Sequence, residues 1–406
     1  MGLVPSHWNI DKLKYHLVRN EPRNPGGKTV LSLYRELGVI PKDSRDDNHN
    51  VTSEDTSNYK YVRFGDFVIN KMKAWQGSVA VSEYEGIVSP AYFVYEFTDK
   101  VFCKRYFHYL LRSCYKNEFM RLSGGIRIGQ WDLPSSGLDN VPVLVPEMEE
   151  QKCIADFLDV KCAEIDALAA DIQAQIDTLE QYKRSVITEA VTKGLNPDAE
   201  MRDSGVPWIG RVPSHWEVIR GKYILRYMQR PVCENDGVIT CFRDGEVTLR
   251  SNRREDGFTV SDKEIGYQGI DVGDLVVHGM DGFAGAIGIA DSRGKASPVL
   301  NVLDTDQNKR YIMYYLRSMA YSDVFLALAT GIRVRSCDLR WNKLADLSYL
   351  VPPLGEQETI IHYIDLVIEK ANAVISDKKG QLETLDAYKK SLIFEYVTGK
   401  KEVPAV

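Results

Sequence analysis

Residues 152–193 read KCIADFLDVKCAEIDALAADIQAQIDTLEQYKRSVITEAVTK and contain neither glycine nor proline. Apolar residues recur through this stretch in steps of three or four, or in sums of these steps, which places them along one side of an α-helix. A helix of this length is about 63 Å long at 1.5 Å per residue. The predicted apolar seam comprises Ile154, Leu158, Ile165, Leu168, Ile172, Leu179, Tyr182 and Val186.

A second seam of the same kind lies further along the chain and comprises Ile360, Ile364, Val367, Val374, Leu385, Tyr388 and Leu392. It departs from the pattern at Lys378 and at Gly380. Because neither seam is short enough to be covered by one globular lobe, we predict that the two helices pack against each other as a coiled coil. The alternative is that each helix packs only on its own neighbouring lobe.

The chain also contains an internal repeat with a period near 206 residues, which indicates a duplicated domain pair. Val4-Pro5-Ser6-His7-Trp8 returns as Val212-Pro213-Ser214-His215-Trp216, and Gly65-Asp66-Phe67-Val68 returns as Gly273-Asp274-Leu275-Val276. Tyr182-Lys183-Arg184-Ser185 corresponds in the same way to Tyr388-Lys389-Lys390-Ser391. The repeat predicts two equivalent halves related by a pseudo-twofold axis, and this symmetry favours an antiparallel helix pair.

The composition and residue pattern of the sequence change once within each half. Residues 1–146 are rich in glycine, aromatic residues and short alternating runs, which predict strands bounded by turns. Residues 106–121 keep apolar groups at helical spacing. We therefore predict an α+β protein with two similar lobes and two long helical segments. Lobe one (1–146) and lobe two with its linker (194–352) alternate with the helical segments 147–193 and 353–406.

The composition is that of an ordinary globular protein, with 44% hydrophobic and 27% charged residues. No apolar run approaches the roughly 18 residues of a membrane span, and the first residues lack the pattern of a signal peptide. We expect a cytoplasmic protein without membrane contact. The seven cysteines contain no CxxC pair and the seven histidines no HExxH pattern, so we expect reduced thiols and no metal site.

The formal net charge of −6 argues against a nucleic-acid partner, because a DNA-binding surface is expected to be basic. Most of the acidic excess, however, falls on the helical segments 147–193 and 353–406. Either lobe can therefore carry a local basic face.

The linker and the helix entries carry a family resemblance. Thr192–Pro197 is followed by Asp203-Ser204-Gly205-Val206-Pro207-Trp208-Ile209-Gly210 and then by the second Val-Pro-Ser-His-Trp run. Each predicted helix is entered through a proline and then Glu-Gln, at Pro146–Gln151 and at Pro353–Gln357. Together with the duplication, which spans the whole chain, this order of motifs closely resembles the specificity subunits of type I restriction-modification systems.

The resemblance implies two target-recognition domains that alternate with two helical regions, the latter forming an antiparallel coiled coil. Each recognition domain would read one half of a bipartite site in double-stranded DNA. Two modification subunits, which bind S-adenosylmethionine and methylate adenine, would assemble on the helices, and restriction motor-nuclease subunits could join them. The chain itself would need no cofactor.

Catalytic motifs of its own are missing from the sequence. An amino-methyltransferase needs an Asn/Asp-Pro-Pro-Tyr/Phe box and a glycine-rich cofactor loop, and the nearest string is Val351-Pro352-Pro353-Leu354. We therefore predict a non-catalytic subunit. Two other interpretations stay open: a coiled-coil adaptor with two protein-binding lobes and no DNA binding, and a divergent methyltransferase.

DNA reading requires Arg or Lys for guanine edges and phosphates, and Asn or Gln for adenine. Each lobe offers two loops that can present such side chains. The first loop spans 70–77 in lobe one and 278–283 in lobe two, and the second loop spans 121–131 and 330–335. The equivalent loops of the two lobes contain different residues. This is typical of two domains that recognise different half-sites, and equally of neutral drift in surface loops.

The candidate DNA-binding residues of these loops are Lys71, Lys73, Trp75, Gln76, Arg127, Gln130, His278, Arg333 and Arg335. A basic patch in lobe two adds Arg250, Arg253 and Arg254. Arg127 and Arg333 are the strongest candidates, because both lobes keep Gly-Ile-Arg and glycine lets a backbone approach a groove closely. Met72 and Met280 are expected in the core. For each candidate, packing or solvation is the alternative interpretation.

Overall fold

The computed structural model describes residues 2–35, 37–45, 52–125, 131–253, 264–327 and 339–404. The chain divides into two compact units. Unit 1 comprises Met1–Ile172 together with Gly380–Val406, and unit 2 comprises Gln173–Lys379. Each unit thus holds one lobe and one part of each long helical segment.

Unit 1 is built on short antiparallel strands. Strand β1 (Asn9–Lys12) pairs with β10 (Pro142–Val145), β3 (Leu31–Tyr34) with β4 (Gly38–Pro41), and β5 (Lys60–Val62) with β8 (Gly86–Val88). A four-stranded sheet has the order β2 (Leu17–Arg19), β9 (Tyr92–Phe97), β6 (Phe67–Asn70) and β7 (Val79–Val81). The helices of this unit begin with α1 (Lys104–Cys114), α2 (Lys116–Leu122) and the first part of α3 (Met148–Lys193).

Helix α1 covers the four-stranded sheet of unit 1. Its buried residues fall on one side of the helix, at the spacing that an amphipathic helix requires. The rings of Phe67 on the sheet and Phe107 on the helix meet edge to face with their centroids 5.1 Å apart. Both side chains are fully buried in the core of this unit.

Unit 2 repeats this strand order. Strand β13 (Glu217–Arg220) pairs with β22 (Ser348–Val351), β15 (Ile239–Cys241) with β16 (Val247–Leu249), and β17 (Gln268–Ile270) with β20 (Gly294–Ala296). The four-stranded sheet has the order β14 (Leu225–Tyr227), β21 (Leu300–Thr305), β18 (Leu275–His278) and β19 (Ile287–Ile289). The linker forms a hairpin of β11 (Met201–Asp203) and β12 (Arg211–Pro213). The helices are α4 (Gly221–Ile224), α5 (Lys309–Tyr321), α6 (Val324–Ala327), α7 (Trp341–Asp346) and the first part of α8 (Leu354–Val397).

The two long helices, α3 with 46 residues and α8 with 44, run antiparallel within unit 1. The rings of Phe157 and Tyr396 are 4.5 Å apart at one end of the pair. Further along, Lys389 Nζ donates to both carboxylate oxygens of Asp166 at 2.6 and 2.7 Å. Residue numbers rise along α3 while they fall along α8, which confirms the predicted antiparallel coiled coil.

The same helix pair recurs in unit 2 from the other ends of the helices. Ile187 and Val191 of α3 share a core with Ile360 and Ile364 of α8 and with lobe two. The helices therefore pack on each other as well as on a lobe, which contradicts the alternative that each helix packs only on its own neighbouring lobe. Among the described residues, none of the helices has the length and apolarity needed to cross a membrane.

The phase of the predicted seam is wrong at four positions. Leu168, Tyr182, Val374 and Tyr388 are 49%, 51%, 43% and 54% exposed. The structure instead buries Cys162, Ile176, Ala371 and Ile375. These four residues lie three, four or seven positions from other buried residues of the same helix, so they belong to its buried side. At Val374 the buried residue is its neighbour Ile375, and spacing alone cannot distinguish two adjacent apolar positions.

The Val-Pro-Ser-His-Trp run and the Glu-Gln helix entry meet each other in both units. In unit 1, Trp8 Nε1 donates to Glu150 Oε1 at 3.0 Å. In unit 2, Trp216 Nε1 donates to Glu356 Oε1 at 3.1 Å. These repeated motifs thus serve to dock each lobe on the start of the long helix that follows it.

The glutamine of each helix entry completes this joint. Gln151 is fully buried, accepts a hydrogen bond from Cys103 N at 2.8 Å, and donates to two backbone carbonyls at 2.9 Å. Gln357, also fully buried, accepts from Asn308 N at 3.0 Å. Each glutamine therefore satisfies backbone groups where α1 or α5 begins, which a buried helix start requires.

Candidate nucleic-acid interface

The structure brings the two predicted loops of lobe one together. Lys71 N donates to Ala91 O at 3.1 Å, and Lys71 O accepts from Leu133 N at 3.0 Å. Lys71 Nζ also lies 3.3 Å from Asp132 Oδ2. The first loop and the residues that follow the second loop are thus joined by one backbone hydrogen bond and an ion pair, although about 60 residues separate them in the sequence.

Aromatic packing supports the same junction. The indole rings of Trp75 and Trp131 are 5.5 Å apart and inclined at 60°. Trp75 Nε1 donates to Met72 O at 3.1 Å, which holds the tip of the first loop against this ring pair. Lys73 is exposed, and its ammonium makes no hydrogen bond or ion pair within the described part of the chain, whereas Gln76 is half-buried. Lys73 is therefore the cation of this loop that is best placed to meet a phosphate or a base edge.

Lobe two builds the same frame from different residues. Gly279 N donates to Val299 O at 2.7 Å, and Gly279 O accepts from Leu339 N at 2.8 Å. Asn301 Nδ2 donates to Leu339 O at 2.9 Å and so fixes Leu339 to the sheet. Gly279 and Leu339 stand where Lys71 and Leu133 stand in lobe one. The backbone hydrogen bond between these two positions is therefore a property of the repeated fold.

A side chain caps the first loop in each lobe. Asn70 Oδ1 accepts from Met72 N at 3.2 Å, while His278 Nδ1 accepts from Met280 N at 3.2 Å and from Asp281 N at 3.0 Å. Because Nδ1 accepts, the proton of the neutral imidazole lies on Nε2. Burial lowers the pKa of His278, which favours this neutral form. The histidine therefore shapes the loop, and its Nε2–H is the group left for a ligand.

The predicted burial of two loop methionines is wrong. Met72 is 49% exposed and Met280 is 53% exposed. Each follows directly on the residue that the backbone bonds fix, Lys71 or Gly279, so the chain turns away from the core at this point. Met was expected inside because it is apolar, but the loop geometry outweighs that preference here.

The basic patch predicted in lobe two is largely engaged by its own neighbours. The Arg253 guanidinium lies over the Phe242 ring at 4.2 Å and bonds the Asp244 carboxylate at 2.5 and 3.1 Å. Arg250 Nε donates to Thr240 Oγ1 at 2.9 Å. These arginines can meet a phosphate only by sharing or exchanging these partners.

Arg243 is a candidate that the sequence pattern did not identify. Its side chain is 60% exposed, and its guanidinium donates to Asp281 of the first loop at 2.9 Å. It lies in the turn between β15 and β16, about forty residues before that loop. Trp131, beside Trp75, was likewise not among the candidates. No local spacing signals either residue, because the sheet and not the sequence makes them neighbours.

Five candidates, Arg127, Gln130, Arg254, Arg333 and Arg335, lie outside the described residues. Their roles stay predictions. Within the described ranges, no group of three or more His, Cys, Asp or Glu side chains is arranged to hold a metal ion.

The duplicated α+β lobes and the antiparallel helices define a protein built from one repeated unit. Residues 23–178 match the family model of the type I restriction modification DNA specificity domain. Over these residues the chain is similar to the type I restriction-modification specificity subunits.

Two relatives illustrate the range of this match. The StySPI specificity subunit of Salmonella potsdam is 21% identical over 301 residues, which cover 72% of this chain and 64% of that subunit. The putative MjaX specificity subunit of Methanocaldococcus jannaschii is 22% identical over 430 aligned positions, which cover 99% of this chain and 96% of the relative. This chain is thus matched to slightly less than two thirds of the Salmonella subunit and to nearly all of the archaeal one.

A solved structure shares the fold. It comes from work on the complex assembly and conformational transition of the type I R-M system, and its TM-score against this chain is 0.69. The likeness covers 99% of this chain and 100% of the other at 13% sequence identity. At that identity the similarity establishes a common fold and does not extend to the contacts of single residues.

Proposed function

We propose that this chain selects the DNA site of a type I restriction-modification complex. Lobe one and lobe two each read one half of a bipartite double-stranded site, and the coiled coil sets the gap between the halves. The observation that carries the proposal is the pair of loops on one repeated frame with unlike contents. Lys71, Lys73 and Trp75 in lobe one stand where Gly279, Asp281 and Phe283 stand in lobe two.

Physical chemistry supports this assignment of roles. A fixed backbone frame positions side chains at the depth of a groove, while the side chains themselves carry the sequence information. Two frames with different side chains read two different half-sites. The family model that matches residues 23–178 is described as a DNA specificity domain, which agrees with this role for lobe one.

The chemistry of modification belongs to partner subunits in this proposal. Two modification subunits that bind S-adenosylmethionine dock on the coiled coil and methylate adenine in the selected site, and restriction subunits join the same complex. The chain is the non-catalytic component, and the complex acts in the cytoplasm, where the chromosome lies. The acidic surface of α3 is suited to receive basic surfaces of a partner.

The test is single-molecule methylome sequencing of a host that carries the modification partner, with and without this chain. We expect a bipartite methyladenine motif that is present with the chain and vanishes on its deletion. The motif itself then gives the two half-sites and the gap. A methylome that does not change, while the modification subunit is active and co-purifies with the chain, would contradict the proposal and favour a protein-binding adaptor.

A loop exchange assigns each half-site to its lobe. Residues 71–76 of lobe one are replaced by the corresponding residues 279–284 of lobe two, with lobe two left intact. We expect one half of the methylated motif to change and the other to stay as it was. The reciprocal exchange is the matched control and should alter the opposite half.

A further inference from the structure

The first loops of the two lobes differ at nearly every exposed position, yet the exposed residue at the tip is the same in both. Lys71 corresponds to Gly279, Lys73 to Asp281, and Trp75 to Phe283, whereas the residue at the tip is Met72 in one lobe and Met280 in the other. A residue that stays the same between two loops of different content points to a feature shared by the two ligands.

The structure explains why neither methionine serves the core. Met72 N is held by the Asn70 carboxamide and Met280 N by the His278 imidazole, each at 3.2 Å. These caps fix the turn so that both side chains are about half exposed. Each methionine follows a residue whose N–H and carbonyl both make backbone hydrogen bonds. These bonds direct the methionine away from the fold.

The base edges of a major groove offer one apolar group, the C5-methyl of thymine, among hydrogen-bond donors and acceptors. A methionine side chain is long, flexible and apolar, with a sulfur that accepts hydrogen bonds only weakly. It therefore complements a methyl group far better than it complements an amine or a carbonyl oxygen.

We propose that Met72 and Met280 each contact a thymine methyl group, one in each half-site. The inference rests on the proposed function, in which each half-site contains an adenine that is methylated. Because that adenine pairs with thymine, every half-site presents at least one thymine methyl, whatever its other bases are. The common residue of the loops thus matches the common feature of the half-sites.

The test replaces thymine by deoxyuridine, one position at a time, in a duplex that carries the motif found by methylome sequencing. Deoxyuridine keeps the base pair and removes only the methyl group. In each half-site, deoxyuridine at one of the thymine positions should weaken binding by the assembled complex with modification subunits about four-fold. This is the factor that one buried methyl-sized group contributes.

Methionine variants identify the contact. In complexes with Met72→Ala, the sensitivity to deoxyuridine should disappear in one half-site and persist in the other, and Met280→Ala should show the reverse. Met72→Leu, which keeps an apolar side chain of similar size, should retain the sensitivity. Thermal melting should show no loss of stability for Met72→Ala, because the side chain is half exposed. If Met72→Ala lowers the melting temperature, Met72→Gln is used instead.

Persistence of both sensitivities in the alanine or glutamine variants would overturn the assignment, as would a wild-type complex that ignores deoxyuridine at every thymine. Either result leaves the proposed function intact, because the complex still binds the unmodified duplex selectively. Failure of the proposed function is a separate outcome, recognised by the absence of selective binding to any duplex with the motif.

Discussion

His108 on α1 is a buried titratable residue whose counterpart in lobe two is an apolar one, Met313. Burial, helped by the neighbouring Arg112 guanidinium, lowers the pKa of His108 to about 4. The unfolded chain takes up this proton near pH 6.5, well before the folded lobe does. Stability should therefore be unaffected above about pH 6.5 and should fall as the pH decreases from there toward 4.

The variant His108→Met copies the residue of lobe two and should flatten this dependence. Between about pH 7 and about pH 4.5, the free energy of unfolding should fall in both proteins. The fall should be smaller in the variant than in the natural chain, by on the order of 2 kcal/mol. Urea unfolding at the two pH values measures the difference. Equal losses in both proteins would show that the pKa of His108 is the same in the folded and the unfolded chain.

Arg333 belongs to the Gly-Ile-Arg run that both lobes share and is the base-contact candidate of lobe two. We expect Arg333→Ala to weaken or relax recognition of one half-site by about 1–3 kcal/mol, the contribution of a lost arginine–base contact. Assembly with modification subunits should stay intact. Binding of duplexes with changes in either half measures the effect, and unchanged recognition of both halves would rule out this role.

The phase of the coiled coil can be tested at the scale of the element. Leu168 and Ile165 lie one helical turn apart on α3, but Leu168 is 49% exposed and Ile165 only 9%. We expect Ile165→Ala to lower the free energy of unfolding by about 2–4 kcal/mol because it leaves a cavity. Leu168→Ala should cost about 0.5 kcal/mol or less.

Chemical denaturation of the two variants gives the comparison directly, and each serves as the control for the other. Equal losses would mean that the seam runs through Leu168, as the spacing of large apolar residues suggests. The same contrast is available on α8 with Ile375, which is 4% exposed, and Val374, which is 43% exposed.

At the scale of the whole molecule, the proposed role of the coiled coil is to set the gap between the half-sites. Seven residues inserted after Ile172 of α3, and seven after Lys379 of α8, keep the seam in register. Each insertion adds about 10 Å of helix at 1.5 Å per residue, close to three base pairs at 3.4 Å.

We therefore expect the methylated motif to keep both halves while its gap lengthens by about three base pairs. Methylome sequencing of a host that carries the insertion variant measures the gap. A matched control carries two insertions of the same length in the linker 195–200, outside the helices, and should leave the gap unchanged. A gap that stays constant in the helix variant would contradict the role of the coiled coil.

The duplication, the α+β class, the two long helices and the resemblance to specificity subunits could all be predicted from the sequence. These features depend on repetition and on local spacing, which a chain displays without reference to its fold. Local geometry explains why: a run such as 152–193 without glycine or proline forms a helix, and two seams of that length require partners. The assignment of four loops to DNA contact stays a prediction, and the second loop of lobe two lies outside the described residues.

The neighbours that each residue meets follow from the folded structure. It adds Cys162 and Ile176 to the buried seam and leaves Leu168 and Tyr182 exposed, because burial depends on the facing helix. It brought Arg243 to the first loop and turned Met72 and Met280 outward. Those placements arise from backbone hydrogen bonds between segments far apart in the chain, which no local pattern records.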